Sequence, residues 1–146
     1  MQHSIKTYTK IVAITLTLCL VGMGMSGTAF AERCVDNGNG TVTDNGAGLV
    51  WQKNTDQTHD WWGAEKTASH FAPDGHTGWR LPDGQELLGL YDSPCKNLMT
   101  VAPYWYWSST IYAHETGVAL AVNFSGGNFW QPRGNGYYVR AVRQAK

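Results

Sequence analysis

The chain has 146 residues, with 11 basic and 11 acidic side chains, 17 glycines, seven tryptophans and three cysteines. There is no basic run, which argues against nucleic acid or an anionic membrane surface as the main partner. The length suits one domain preceded by a short leader.

The leader is read from residues 1–31. Lys6 and Lys10 form a basic start, residues 11–25 are uncharged and mostly apolar, and Ala29 and Ala31 supply small residues before a cleavage point. That order predicts a secretory signal peptide removed after Ala31. The apolar run is shorter than the roughly 20 residues a spanning helix wants, and Gly22 and Gly24 interrupt it. The mature protein, residues 32–146, then carries 9 basic against 11 acidic residues, a net charge of about −2. Its destination is the periplasm, the cell surface or the medium. Cys34 and Cys95 remain as an even pair, which an oxidising compartment joins. Such a bridge closes a loop of about 60 residues, worth at most about 4 kcal/mol in the chain-entropy model.

In chain order, Asn37-Gly38, Asn39-Gly40 and Asn45-Gly46 are turn dipeptides. They flank short strands at Thr41-Val42-Thr43 and at Leu49-Val50-Trp51-Gln52. A helix follows over residues 60–71, capped by Asp60, with Trp61, Ala64, Ala68 and Phe71 on one face. Asp83 and Glu86 have capping-box spacing at the start of a second helix, whose buried face is Leu87, Leu90 and Tyr91. The remainder reads as β. An aromatic strand spans 104–110, and its alternation puts Trp105 with Trp107 on one face and Tyr104 with Tyr106 on the other, with one pair toward the core and the other away from it. Val118, Leu120, Val122 and Phe124 line one face of the next strand. A turn at Ser125-Gly126-Gly127 leads to a return strand from Phe129-Trp130, and residues 137–143 close the domain. In that last strand Val139 and Val142 fall on opposite faces, which requires either a bulge or burial on both sides. Strands, two helices and strands again imply an α+β domain with an antiparallel sheet.

Four strings in this order resemble a known family: DNGNGTVTDNGAGLVWQK (36–53), GWRLPDGQELLGLYD (78–92), YWSST (106–110) and YVRAVR (138–143). Together they are similar to the Lcl C-terminal domain family of bacterial C-type-lectin-like domains, over essentially the whole mature chain. The resemblance implies two helices packed on a twisted antiparallel sheet, Trp107 of WSST in the core with Trp105 on its face and Tyr104 and Tyr106 opposite, and a binding role. Its namesake is associated with adhesion to sulfated polysaccharides, ligands that want a basic patch this chain lacks. Many members resemble one another in a cysteine late in the first helix and another in a terminal VRCVR. Here the helix ends Ala68-Ser69-His70-Phe71 and the terminal string carries Ala141, so that bridge is replaced. Leu120 stands where the family's AWxVxF strand has tryptophan.

Catalytic and metal chemistry find little support. In Asp36-Asn37-Gly38-Asn39-Gly40-Thr41, glycines occupy positions where a calcium loop needs side-chain oxygens. Gln131-Pro132-Arg133 carries arginine where a lectin calcium site wants an oxygen donor. His59, His70, His76 and His114 form no i, i+4 pair, and no CxxC is present. Ser108 and Ser109 lack a nucleophile elbow. The sequence therefore predicts no enzyme, no metal and no cofactor. Trp51, Trp61 and Trp79 are expected in the core. The stretch 125–138 interleaves polar and aromatic residues among glycines, and as a loop it is the expected ligand contact, through Asn128, Trp130, Gln131, Arg133, Asn135 and Tyr137. Variable-surface scaffolds of the resembling fold diversify this same part. The expected function is recognition of an extracytoplasmic carbohydrate or protein, possible in an oligomer. The alternative is a structural subunit of an envelope or surface assembly.

Overall fold

A computed structural model describes residues 33–146 apart from Asp74, and the signal peptide expected over residues 1–31 lies outside the described residues. The first strands are β1 (Cys34–Asp36), β2 (Thr41–Asp44) and β3 (Leu49–Gln52), joined as consecutive antiparallel hairpins. Gly38 and Gly40 sit in the left-handed region (φ 73° and 84°), the conformation their turn needs and a side chain resists. Asp44 closes the next turn by accepting the Gly46 and Ala47 N–H groups. The last strand of the chain, β9 (Val142–Gln144), adds to β3 and completes a four-stranded sheet.

The second sheet has the order β4-β8-β5-β6-β7. Its strands are β4 (Thr58–His59), β5 (Trp105–Ile111), β6 (Val118–Asn123), β7 (Asn128–Pro132) and β8 (Tyr137–Tyr138). Its pairings are antiparallel except between β5 and β8. The fold is thus α+β with two sheets, where the sequence suggested one.

Two helices pack against this second sheet. Helix α1 (Trp61–His70) begins where Asp60 accepts the Gly63 N–H at 2.8 Å, and it buries Trp61, Ala64 and Ala68. Helix α2 (Gly84–Asp92) opens with the expected capping box, in which Asp83 and Glu86 accept each other's backbone N–H. Arg80 grips the Glu86 carboxylate through both guanidinium nitrogens, at 2.8 and 2.7 Å. Burial alone would raise the Glu86 pKa, but the hydrogen bonds from Arg80 and from the Asp83 backbone outweigh it and hold the carboxyl below its ordinary value. Gly84 permits the approach of α2 to β6, since a Cβ there would stand 2.4 Å from a Leu120 methyl. A 3-10 helix (Pro94–Leu98) follows, and the Cys34–Cys95 disulfide ties it to β1.

The helices lie on opposite faces of the sheet. Trp107, Ala119, Ala121 and Val139 pack with Trp61, Ala64 and Ala68 of α1. Tyr106, Val122 and Val142 pack with Leu87 and Leu90 of α2. This corrects the aromatic strand: Trp105 and Trp107 do share a face, but Tyr106 on the other face is also fully buried. On β6 Ala119, Ala121 and Val122 are fully buried, while Val118 and Leu120 remain half-buried. Trp51, Trp61 and Trp79 are core residues, as expected. In α2, Leu87 and Leu90 are buried but Tyr91 is only half so, meeting Phe124 edge-on.

The expected closing strand is two short ones, because the chain leaves the five-stranded sheet after Tyr138 and enters the four-stranded sheet at Val142. Val139 and Val142 are buried on opposite faces of this crossing. Between them Arg140 is fully buried. Its Nη1 donates to the Gln52 and Lys53 carbonyls, and its Nη2 to the Thr100 carbonyl and the Thr55 hydroxyl. No carboxylate pairs with it among the described ion pairs. Burial lowers its pKa, and Tyr106, whose ring lies 5.6 Å away, opposes that shift. Ala141 is held on both sides by Gln52, backbone to backbone and N–H to side chain, each at 2.9 Å.

Candidate functional site

The expected ligand stretch is not a continuous loop. Residues 128–132 form β7, the outermost strand of the second sheet, paired to β6 across Ala121↔Phe129, Leu120↔Trp130 and Ala119↔Gln131. Successive side chains of a strand point to opposite faces. Phe129 and Gln131 therefore lie on the α1 side with Ala121 and Ala119, whereas Asn128 and Trp130 lie on the α2 side with Val122 and Leu120. The six expected contacts are split accordingly.

On the α1 side an aromatic cluster surrounds the small β6 residues. Trp105 meets Phe129 edge-on at 5.8 Å and Tyr137 at 6.0 Å, and Tyr137 packs on Trp107 at 4.8 Å. Ala119 and Ala121 leave room for these rings beside the sheet. Phe129 is 62% exposed and Trp105 is half-buried, so the cluster opens to solvent. Beside it lies a polar triangle. The Tyr137 hydroxyl donates to Gln131 Oε1 at 3.0 Å, and Asn135 Nδ2 donates to the Tyr137 oxygen at 3.0 Å and to Gln131 Oε1 at 3.5 Å. The turn that makes this possible is closed by Asn135 N–H on the Pro132 carbonyl at 3.0 Å. Each member is half-buried and keeps hydrogen-bonding capacity beyond the triangle.

Arg133 extends the surface toward α1. Its guanidinium lies 4.3 Å from the Trp61 ring centre and its carbonyl accepts the Trp61 N–H at 2.9 Å. Glu65 is near enough to feel it: burial raises the Glu65 pKa and the Arg133 charge opposes the rise. Of the six expected residues, Gln131, Asn135 and Tyr137 thus come together, and Arg133 lies against Trp61. Asn128 and Trp130 do not join them. Trp130 packs on Tyr112 at 5.0 Å, which meets His114 at 5.6 Å, on the opposite side. Phe129 was missed, although strict alternation through Asn128-Phe129-Trp130-Gln131 carried the signal that assigns it, and Trp105 was read only by its face on β5.

The WSST string is structural. Pairing between β5 and β6 shifts between Trp107 and Ile111, and the Ser108 hydroxyl fills the irregularity by donating to the Leu120 carbonyl at 2.7 Å. The Ser108 carbonyl accepts the Trp61 indole N–H at 2.9 Å.

A family model for the Lcl C-terminal domain matches residues 40–143, well over half of the chain and including every residue of this surface. The chain belongs to the Lcl C-terminal domain family. Within this Lcl C-terminal domain the match begins downstream of Cys34, so one end of the disulfide stands outside the matched stretch. Ala68 and Ala141, in the segments where many members resemble one another in a cysteine, are both fully buried in one apolar cluster. No curated protein matches the chain. Two grooves lie elsewhere on the domain. One of about 640 Å³ runs beside Trp62, Glu65, Ser69 and Arg80, and one of about 370 Å³ lies between the β2–β3 turn and α2. Neither includes the six expected residues. Among the described residues no three His, Cys, Asp or Glu side chains come together around a metal position, and no helix is long and apolar enough to cross a membrane.

Proposed function

We propose that this domain is a non-catalytic binding module that acts outside the cytoplasm, after signal-peptide removal, on a C-type-lectin-like scaffold. The observation that carries the reading is the solvent-open cluster of Trp105, Phe129 and Tyr137 with the Gln131–Asn135–Tyr137 triangle at its side. Aromatic faces cover the apolar face of a sugar ring or an apolar side chain, and amide and hydroxyl groups fix orientation. A half-open ring surface beside neutral hydrogen-bonding groups favours a carbohydrate over a protein. The neutral triangle and the domain's acidic balance favour a ligand without dense sulfation. The buried disulfide suits an oxidising compartment.

A glycan array probed with the oxidised protein, with calcium and again with chelator, tests this. The expected result is binding that survives chelation, disappears in Phe129→Ala and weakens in Gln131→Ala. A blank array for the folded protein would move the reading to a protein ligand.

A further inference from the structure

The backbone of β7 has a second property that its side chains do not use. On its inner side, Arg133 N–H donates to the Gly117 carbonyl and Asn123 N–H to the Gly127 carbonyl, each at 2.9 Å. These bonds fix the phase of the ladder. In an antiparallel pair, hydrogen-bonded and non-hydrogen-bonded positions alternate, so Ala119/Gln131 and Ala121/Phe129 are also hydrogen-bonded pairs. Asn128, Trp130 and Pro132 therefore turn their backbone polar groups away from β6. Pro132 has no N–H, and its carbonyl is taken by Asn135. The N–H and C=O of Asn128 and of Trp130 are left facing outward at the end of the sheet.

That set is self-complementary. Two β7 strands set antiparallel about a two-fold axis at Phe129 bring Asn128 of each opposite Trp130 of the other, and every outward group finds a partner. Centring the axis on Trp130 instead would oppose Asn128 to Pro132, which has no N–H to give. Edge strands are usually protected by charge, by proline or by a bulge, and the one such device in β7 is Pro132 at its end, outside the Asn128–Trp130 pairing. β7 reads Asn-Phe-Trp-Gln-Pro, with no charge, so self-pairing sets no like charges against each other. Phe129 and Trp130, 62% and 44% exposed, flank the edge on its two faces, and pairing would shield the edge-facing side of each ring while leaving its outer side to solvent.

We propose that β7 pairs with β7 of a second copy of this chain in the Phe129-centred register, fusing two five-stranded sheets into one. The pairing stands on backbone geometry and goes beyond the ligand reading. Where that reading also holds, the two aromatic clusters fall side by side on one face, and a ligand with repeating rings meets both.

The test is a set of single substitutions in the full chain with the native disulfide kept: Asn128→Cys, Phe129→Cys, Trp130→Cys and Gln131→Cys. Each is oxidised and its crosslinked dimer measured, beside sedimentation of the unmodified protein. The proposal expects a mass that doubles with concentration and crosslinking strongest at Phe129→Cys, because the facing α-carbons are about 4.5 Å apart in such a pair, within disulfide reach. Trp130→Pro removes an N–H that β6 does not use and should leave a folded monomer. Phe129→Lys sets two lysines directly opposite each other at the axis and should do the same without proline. A monomer at every concentration, a dimer that both variants leave intact, or crosslinking strongest at Trp130→Cys overturns the proposal. Sugar binding by a protein that stays monomeric would leave the ligand reading standing and this one rejected, and a dimer with no glycan ligand would do the reverse.

Discussion

Arg140 and the β7 end use the same materials to opposite effect. Around Arg140 an aromatic ring, hydroxyls and amide oxygens converge on a fully buried group, and the donors of both terminal guanidinium nitrogens find acceptors inside the chain. At the β7 end, rings, amides and a hydroxyl also converge, but the cluster stops at solvent with Phe129 mostly exposed. A polar and aromatic cluster closed on all sides holds a fold together. One left open on a side has interactions still to make. The first belongs to stability and the second to recognition, and mutations should separate them.

The comparison predicts a gradient of stability losses. Replacing Cys34 and Cys95 by alanine together should cost about 4 kcal/mol in urea unfolding, since the bridge spans a sequence separation of 61 and constrains the unfolded chain. Arg140→Met should cost about 3 kcal/mol, because it strips the buried Gln52 carbonyl of its donor and leaves the Thr100 carbonyl with the Thr55 hydroxyl alone. If Arg140→Met proved neutral, the closed cluster would be no stability element and the contrast would fail. Glu86→Gln should cost about 1–2 kcal/mol by weakening the capping box and the Arg80 pair. Its sign with pH is fixed. The folded carboxyl has a lowered pKa, so its contribution is full above the unfolded value and fades as pH falls through the folded one. Wild type and Glu86→Gln should therefore converge in urea midpoint as pH falls through the ordinary glutamate range and below it. Phe129→Ala, at an exposed position, should change stability by no more than about 0.5 kcal/mol while removing ligand binding.

What the sequence disclosed was local. The capping box at Asp83 and Glu86, the Asp60 cap, the hairpin turns and the faces of α1 all depend on residues a few positions apart, and each is present as read. The Cys34–Cys95 bridge followed from there being one pair to join once the leader is set aside. What stayed hidden depends on the second face of a strand. Alternation told which residues of Tyr104-Trp105-Tyr106-Trp107 share a side, but not that α2 covers the side opposite α1, so Tyr106 was misplaced. The same gap grouped Trp130 with Gln131, neighbours in sequence on opposite faces of β7. The crossing at Val139–Val142 was visible as a conflict of periodicity. Its resolution, a change of sheet around a buried arginine, needs contacts to Gln52 and Thr100 that no local pattern encodes.

The most direct test of the recognition surface is one titration of the best array glycan into three proteins: wild type, Phe129→Ala and Trp130→Ala. The two substitutions are adjacent in sequence and remove exposed rings of similar kind from opposite faces. The account predicts that Phe129→Ala abolishes measurable binding while Trp130→Ala keeps it near the wild-type value. Loss in Trp130→Ala with retention in Phe129→Ala would contradict it and move the ligand to the α2 side, beside Tyr112.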